Sequence, residues 1–466
     1  MIKSFVAAGL ALLLLVAASA ADSKDNLGRP DPEKMRAAIA KMAGKETATV
    51  IYTNVKMADG KSDALQTDLA IVVEGEKIAR IASMSDLASL KVDGASVVDA
   101  GNWYLTPGLI DTHVHLATLP AADIAAAYLK RFIYSGVTTV RDMAGDVRSL
   151  ADLSRASLIN EIPSPDIKYS SLMAGPSFFK DPRTFASGLG ETPGEIPWMN
   201  GITEETDLKI AVAEARGTGA SGVKIYANLP GSLVRSIMKE AKRQNIPVWT
   251  HAQVFPATPF DSVEGGAVAV SHVCMVAQYA AKPGAAYHDK RPDITAIKAD
   301  NPVILKYIKA LQKAGTVFDA TLFVYPPASD DMEPSTCSRE FAGELVKAFV
   351  AAGVPVSAGT DGVSKANDPY PALNMELDNL ALYAGLTPAE VIKAATINGA
   401  KATGVDAEVG TIEVGKLANF AFFEANPLED VKNFRSVALT VKRGKKFYRA
   451  DYKHQGIPAM PWPEVD

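Results

Sequence analysis

The chain is expected to be an α/β protein, a (β/α)8 TIM barrel with a small β-sandwich module built from both chain ends. Three observations lead to that expectation. From Leu105 to about Gly404, short apolar runs of strand length alternate with helical stretches, the texture of parallel strands joined by helical crossovers. On either side, Thr47 to Val98 and Gly410 to Tyr448 read as β-structure with Gly, Asp and Ser turns. Finally, LTPGLIDTHVHL, Leu105 to Leu116, reads as a buried strand announced by a Pro-Gly turn and ending in two histidines.

Composition sets the bounds. The 466 residues are 48% hydrophobic and 22% charged, ordinary for a soluble globular protein and enough for one large domain plus a smaller one. A net charge of −5 speaks against a nucleic-acid partner. Residues 1–20 read as a secretory signal: Lys3, an apolar run from Phe5 to Val16, then Ala18-Ser19-Ala20 as a cleavage site. The run is short for a membrane span of about 20 residues. The mature chain is therefore expected to be exported, periplasmic if the source is Gram-negative and otherwise secreted, with no membrane attachment after cleavage. The two cysteines, Cys274 and Cys337, are too few for a disulfide scaffold. They are read as unpaired buried thiols, with pairing as the alternative in an oxidising compartment.

In chain order, residues 21–46 are a polar and partly helical segment. Residues 47–105 form the first part of the sandwich, with TATVIYTNVKM, LAIVVEGEKIARIASM and ASVVDA as strands. The barrel covers residues 106–404. Its strands are expected at Leu109–His115, Val137–Asp142, Asp166–Ser171, Gly222–Ala227, Pro247–Ala252, Val268–Val273, Val317–Phe323 and Val354–Asp361. Helical patterns lie between them at Ala121–Tyr134, Glu204–Gly217, Leu233–Gln244, Pro302–Ala314 and Arg339–Ala352. The third unit carries an insertion, Met173 to Gly201, long enough to be an active-site loop. Thr387-Pro388-Ala389-Glu390 has the form of a capping box opening a helix that runs to Gly404. Residues 405–450 complete the sandwich, and 451–466 form a tail.

The chemistry concentrates at strand ends. Of six histidines, His113 and His115 end the first barrel strand, His251 the fifth and His272 the sixth. Asp361 ends the eighth, inside SAGTDG. Barrel active sites lie at the C-terminal ends of the strands, and residues at i and i+2 of a strand face one way, so His113 and His115 can share a metal. Taken singly, each strand-end histidine is more simply a core residue bonded to a carbonyl. Lys224 does not fit that simpler view, because an ammonium in an apolar strand is expensive to bury. Four imidazoles, one carboxylate and one misplaced lysine at one end of one barrel make a metal site.

At these residues the chain resembles the amidohydrolase superfamily, in its imidazolonepropionase-like and Xaa-Pro dipeptidase-like branch. PGLIDTHVHL resembles that family's first strand, GVTTVRDMAG its second, GVKIY its carboxylated-lysine strand, THAQ and SHVC its fifth and sixth, and GTDG its eighth. GLTPAEVIKAATINGAKATGV…VGTIEVGKLANF resembles its C-terminal signature. The similarity runs from about Thr47 to Tyr448. It implies two divalent metals, zinc by default: His113, His115 and Asp361 would hold the buried one, His251 and His272 the exposed one, and Lys224, carboxylated on its amine, would bridge them. It also implies a bridging hydroxide that attacks a carbonyl carbon, with Asp361 as proton shuttle. Ser271 and Val273 stand around His272 where the family often has Glu and Gly; GTDG replaces the commoner GTDS, and Asn419 stands where Asp is usual.

The expected function is hydrolysis of a C–N amide bond, in a dipeptide or N-acyl amino acid. Rival readings are a cyclic amide or amidine hydrolase, a deaminase, a lactonase or esterase, and a catalytically inactive binding protein on the same fold. Tyr226, two residues from Lys224 on the same face, is a candidate for the substrate carbonyl. Phe178, Phe179, Lys180 and Arg183 in the insertion could supply an apolar wall and a carboxylate anchor. Tyr325 and Cys274 are further rim candidates, Cys274 by sharing the strand face of His272. A homo-oligomer is compatible with this fold, but no residue points to an interface.

Overall fold

In this computed structural model the described residues are 34–35, 49–90, 94–454 and 456–457. The expected signal, nearly all of the segment 21–46 and the end of the tail lie outside them. Met1–Glu46 is a unit separate from Thr47–Asp466, and every strand among the described residues belongs to the second unit.

The chain first supplies β1 (Thr49–Met57), β2 (Gln66–Glu74), β3 (Lys77–Ser83), β4 (Ser96–Asp99) and β5 (Tyr104–Pro107). It then enters the barrel. β6 (Leu109–Val114), β7 (Val137–Asp142), β8 (Asp166–Ala174), β11 (Gly222–Ile225), β12 (Val248–His251), β13 (Ala269–Ser271), β14 (Val317–Asp319) and β15 (Val356–Ser357) pair in parallel in that order. The amide of Thr112 donates to Ala358 O (3.0 Å) and that of Asp361 to His113 O (2.8 Å), which brings the eighth strand back to the first. β8 runs past its expected end at Ser171 because β10 (Met199–Gly201), itself paired to β9 (Glu195–Ile196), extends its ladder. β13, β14 and β15 are shorter than expected. Their last residues leave the ladder at His272, Thr321 and Asp361, each with positive φ.

Helices pack outside the strands on an apolar core that includes Leu129, Phe132, Leu150, Val212, Ile237, Leu311 and Phe349. The pattern expected over Glu204–Gly217 begins at Leu208, where Asp207 accepts from the amide of Lys209 and caps the first turn. Helices at Val147–Leu158, Val273–Ala281 and Ala372–Leu382 have no counterpart in the sequence expectation. The last buries Asn374, Glu376 and Asn379, which blurs its apolar stripe. The Thr387 capping box forms, and the chain from Pro388 reaches Gly404 through a π-turn at Ala394–Asn398.

β16 (Phe420–Phe423), β17 (Val437–Lys442) and β18 (Lys445–Tyr448) then join β5, giving one eight-stranded sheet in the order β18-β17-β16-β5-β1-β2-β3, with β4 beside β1. Tyr52, Ile71 and Val73 share a core with Phe420, Phe422, Leu439 and Val441. Both chain ends thus wrap one interior, as a sandwich-like module apart from the barrel.

The lower barrel is filled. Arg141 lies 4.9 Å from the Trp249 ring, and both side chains donate to Ala402 O at 2.8 Å. A Cβ on Gly222 would stand 2.3 Å from that ring, so glycine is what lets β11 pass the indole. With that end plugged, the barrel interior opens at the C-terminal mouth of the strands.

Candidate active site and metal centre

His113, His272 and Asp361 present ligand atoms all within 4.8 Å of one another. Asp361 Oδ1 lies 3.4 Å from His113 Nε2 and 3.0 Å from His115 Nε2, and its Oδ2 lies 3.8 Å from His272 Nδ1. The His251 ring stands 4.9 Å from that of His272 and 4.1 Å from Tyr226. Lys224 is fully buried one step lower, in register with Leu172 and Trp249. The four histidines, the aspartate and the lysine expected from the sequence therefore meet at one mouth.

The electrostatics suit cation binding. Burial holds His113 and His251 below the ordinary imidazole value and takes His272 down to about 3, which keeps their nitrogen lone pairs free. Burial, reinforced by Arg141, takes the Lys224 amine down to about 7. Burial pushes the Asp361 carboxyl up, but His113, His115 and His272 outweigh it and hold the group ionised. Lys224 Nζ and His251 Nδ1 are buried with no hydrogen-bond partner among the described residues. Buried polar atoms are nearly always satisfied. Two orphans facing a carboxylate and neutral imidazoles fit the donor set of a divalent-metal centre.

Asp319 is a residue the sequence reading missed. Fully buried at the end of β14, it accepts from Thr112 Oγ1 (2.7 Å), Ser271 Oγ (3.0 Å) and Arg141 Nη2 (3.3 Å). Its Oδ2 also lies 2.9 Å from His113 Nδ1. Burial would raise its carboxyl, but His113 and Arg141 hold it well below the usual range. The bond to Nδ1 turns Nε2 of His113 toward Asp361, the usual way a carboxylate orients a ligating imidazole. One signal was available: an aspartate in the apolar run TVFDATLF is as misplaced as Lys224.

Above the centre is a cleft of about 220 Å³. Its walls include Phe178, Arg183, Met199, Tyr226 and Tyr287 beside His115, His251, His272 and Asp361. Tyr226 stacks on Phe178 at 4.5 Å. Arg183 is clamped by both oxygens of Asp181 at 2.9 and 2.6 Å. Tyr287, also missed, comes from the loop after the helix Val273–Ala281 and stacks on His251 at 5.6 Å. The amide of Tyr287 donates to Asn228 Oδ1 at 2.8 Å. A second recess of about 200 Å³ shares His272, Tyr287, Val324 and Asp361 with the first and reaches Tyr325 and Arg291.

Three expectations are corrected by these positions. Cys274 and Cys337 are not free thiols but a disulfide, with Cα atoms 6.0 Å apart. Cys274 lies in the first turn of a helix, not on the strand face of His272, because the left-handed turn at His272 ends the strand, but it does line the second recess. Phe179 turns into the cluster under the insertion, and Lys180 is exposed, so neither lines the cleft.

Residues 104–447 match the model of the Amidohydrolase family. The chain belongs to that family and is a hydrolase acting on carbon–nitrogen bonds. Among curated relatives, ochratoxinase of Aspergillus niger is 26% identical, over 94% of this chain and 93% of its own length. The 5-methylthioadenosine/S-adenosylhomocysteine deaminase of Thermoanaerobacter pseudethanolicus is also 26% identical, over 80% of this chain and 85% of its own. A crystal structure of a Xaa-Pro dipeptidase with bound methionine superposes with a TM-score of 0.66 at 20% identity, covering 86% of this chain and all of that one.

Proposed function

We propose that the protein is a binuclear metal-dependent amidohydrolase that cleaves the amide bond of dipeptides or N-acyl amino acids. The observation that carries this reading is Lys224, a buried amine with no hydrogen-bond partner among the described residues, beside neutral histidines and an ionised aspartate. An amine held near pH 7 is available as the neutral nucleophile that adds to CO2. A carbamate formed there would be an anion, and together with His113, His115, His251, His272 and Asp361 it would hold the divalent ions. Zinc fits such nitrogen and oxygen donors. Divalent ions there would supply Lewis acidity, making water nucleophilic at neutral pH and polarising a carbonyl.

The chain's own groups do the rest. Asp361, 3.0 Å from His115 and open to the cleft, accepts a proton from the attacking water and returns it to the leaving amine. The Tyr226 phenol, kept protonated by burial, donates to the substrate carbonyl. Arg183, held rigid by Asp181, meets a substrate carboxylate, and Phe178 provides an apolar wall. The named activity of the Xaa-Pro dipeptidase whose fold is shared supports the dipeptide reading.

The relative named as a deaminase favours a second reading, attack on a cyclic amidine. Lys224 separates the two. Under the amide reading, Lys224→Ala abolishes hydrolysis and loses bound zinc, and bicarbonate with short carboxylic acids restores part of both. Full activity in the alanine variant would contradict it. Export remains part of the proposal, supported by the Cys274–Cys337 pair, since disulfides persist in oxidising compartments.

A further inference from the structure

We propose that the reacting centre serves two compartments, and that its substrate carries an acidic group on each side of the scissile bond, one met by Arg183 and the other by Arg291. This rests on the amide-hydrolysis reading above. The geometry begins with the two recesses, about 220 and 200 Å³, which share His272, Asp361, Tyr287 and Val324 in their linings. An amide has two substituents, and hydrolysis parts them at the carbonyl carbon. A centre at the junction of two similar recesses has room for one substituent in each.

The second recess is built for recognition. Arg291 is half-buried there, its guanidinium 4.9 Å from the Phe255 ring and 5.3 Å from that of Tyr287. Among the described residues it makes no hydrogen bond or ion pair. Asp289 and Asp293, each two residues away, accept from the amides of Ala286 and Thr295 at 2.8 Å, and Asp289 acts on Arg291 through its charge without pairing with it. Arg183 in the first recess gives Nε and Nη2 to Asp181 and keeps Nη1 for a ligand, whereas all the donors of Arg291 are unspent. A partly desolvated guanidinium on aromatic faces is preorganised for bidentate binding of a carboxylate. Gln278 adds an amide beside it, and Met275 and Val324 supply apolar wall for the carbon chain leading to that acid.

The test compares four amides on zinc-loaded protein: N-glutaryl-leucine, with an acid on both sides; N-hexanoyl-leucine and the isopentylamide of glutaric acid, with one; and N-isopentylhexanamide, with none. The expected result is that kcat/KM for the doubly acidic amide exceeds each singly acidic one by about tenfold or more, the size of a charge-assisted hydrogen bond. Arg291→Gln should erase the gain from one of the two acids and Arg183→Gln the gain from the other. Lys298→Gln, an exposed charge on the same loop, should erase neither. Equal rates across the four amides, or an equal loss for all four in Arg291→Gln, would overturn the proposal. If no amide is hydrolysed, the amide reading itself fails. Calorimetry with ketomethylene analogues of N-glutaryl-leucine and N-hexanoyl-leucine then decides the compartments. Tighter binding of the diacid, lost in Arg291→Gln, sustains them, and equal binding removes them.

Discussion

At the scale of the residue, the centre depends on two buried groups of opposite sign. Lys224 as an ammonium would have no hydrogen-bond partner among the described residues, and such burial costs several kcal/mol; the proposed conversion to an anion would remove the conflict. Asp319 is the reverse case, a carboxylate with its lone pairs filled by Thr112, Ser271, Arg141 and His113. Its substitution by asparagine should leave the strand in place but loosen the tautomer and aim of His113. Zinc affinity is then expected to fall about 10–100-fold, the usual cost of losing a carboxylate behind a ligating histidine. Competition with a chelator of known affinity reads it, and unchanged affinity would remove Asp319 from the centre. Five of the six proposed ligands were legible in the sequence because strand ends and the i, i+2 rule place them without knowledge of contacts, and Lys224 stood out as an amine in an apolar strand whose ligand role only the family resemblance implied. Asp319 was not, because reading β14 on to Phe323 turned a strand end into a strand interior. Tyr287 and Arg291 were out of reach for another reason: they sit in a loop whose path no periodicity encodes.

At the scale of the element, the ends of β13, β14 and β15 explain both the errors and the site. His272, Thr321 and Asp361 adopt φ of 76°, 51° and 50°, a region costly for residues other than glycine. These turns end the strands early and point the side chains at one another; His272 Nδ1 lies 3.1 Å from Thr321 Oγ1. Gly359 is needed for the same reason, since a Cβ there would stand 2.2 Å from Asp319 Oδ1. Gly359→Ala should displace Asp319 or Asp361 and reduce zinc content, measured by elemental analysis on folded protein. The disulfide ties the helix after His272 to the segment leading into Arg339–Ala351, closing 63 residues of chain. Cys337→Ser is expected to cost about 2–4 kcal/mol, seen as a lower denaturation midpoint than in the oxidised wild type. Equal midpoints would mean the pair contributes nothing.

At the scale of the whole molecule, the module and barrel are joined by a buried ion cluster. Asp166 on β8 accepts from Arg443 Nε at 3.0 Å and lies 3.5 Å from Lys442 Nζ, which also donates to Ser157 at 2.8 Å. Burial pushes the Asp166 carboxyl up, but Lys442 and Arg443 more than offset it and hold it below its ordinary value. A depressed carboxylate contributes stability above its unfolded value near 4, and that contribution is lost as pH falls through the lower folded value. Asp166→Asn should therefore destabilise by about 3 kcal/mol at neutral pH. It should also flatten the acid limb of the stability curve, followed by denaturant titration between pH 7 and 3; an unchanged limb would contradict the assignment. The architecture itself was legible because the alternation of strand and helix is a repeated, long-range pattern. The bounds of the short strands were not, because they are set by side-chain bonds at the mouth.

Amide hydrolysis at the Asp361 centre is tested most directly by incubating zinc-loaded protein with pooled dipeptides and N-acyl amino acids, read by mass spectrometry beside Asp361→Asn. The expected result is release of free amino acids by the wild type and none by the variant, with two metals bound per wild-type chain. Two bound metals without release, or equal release by the variant, would contradict it.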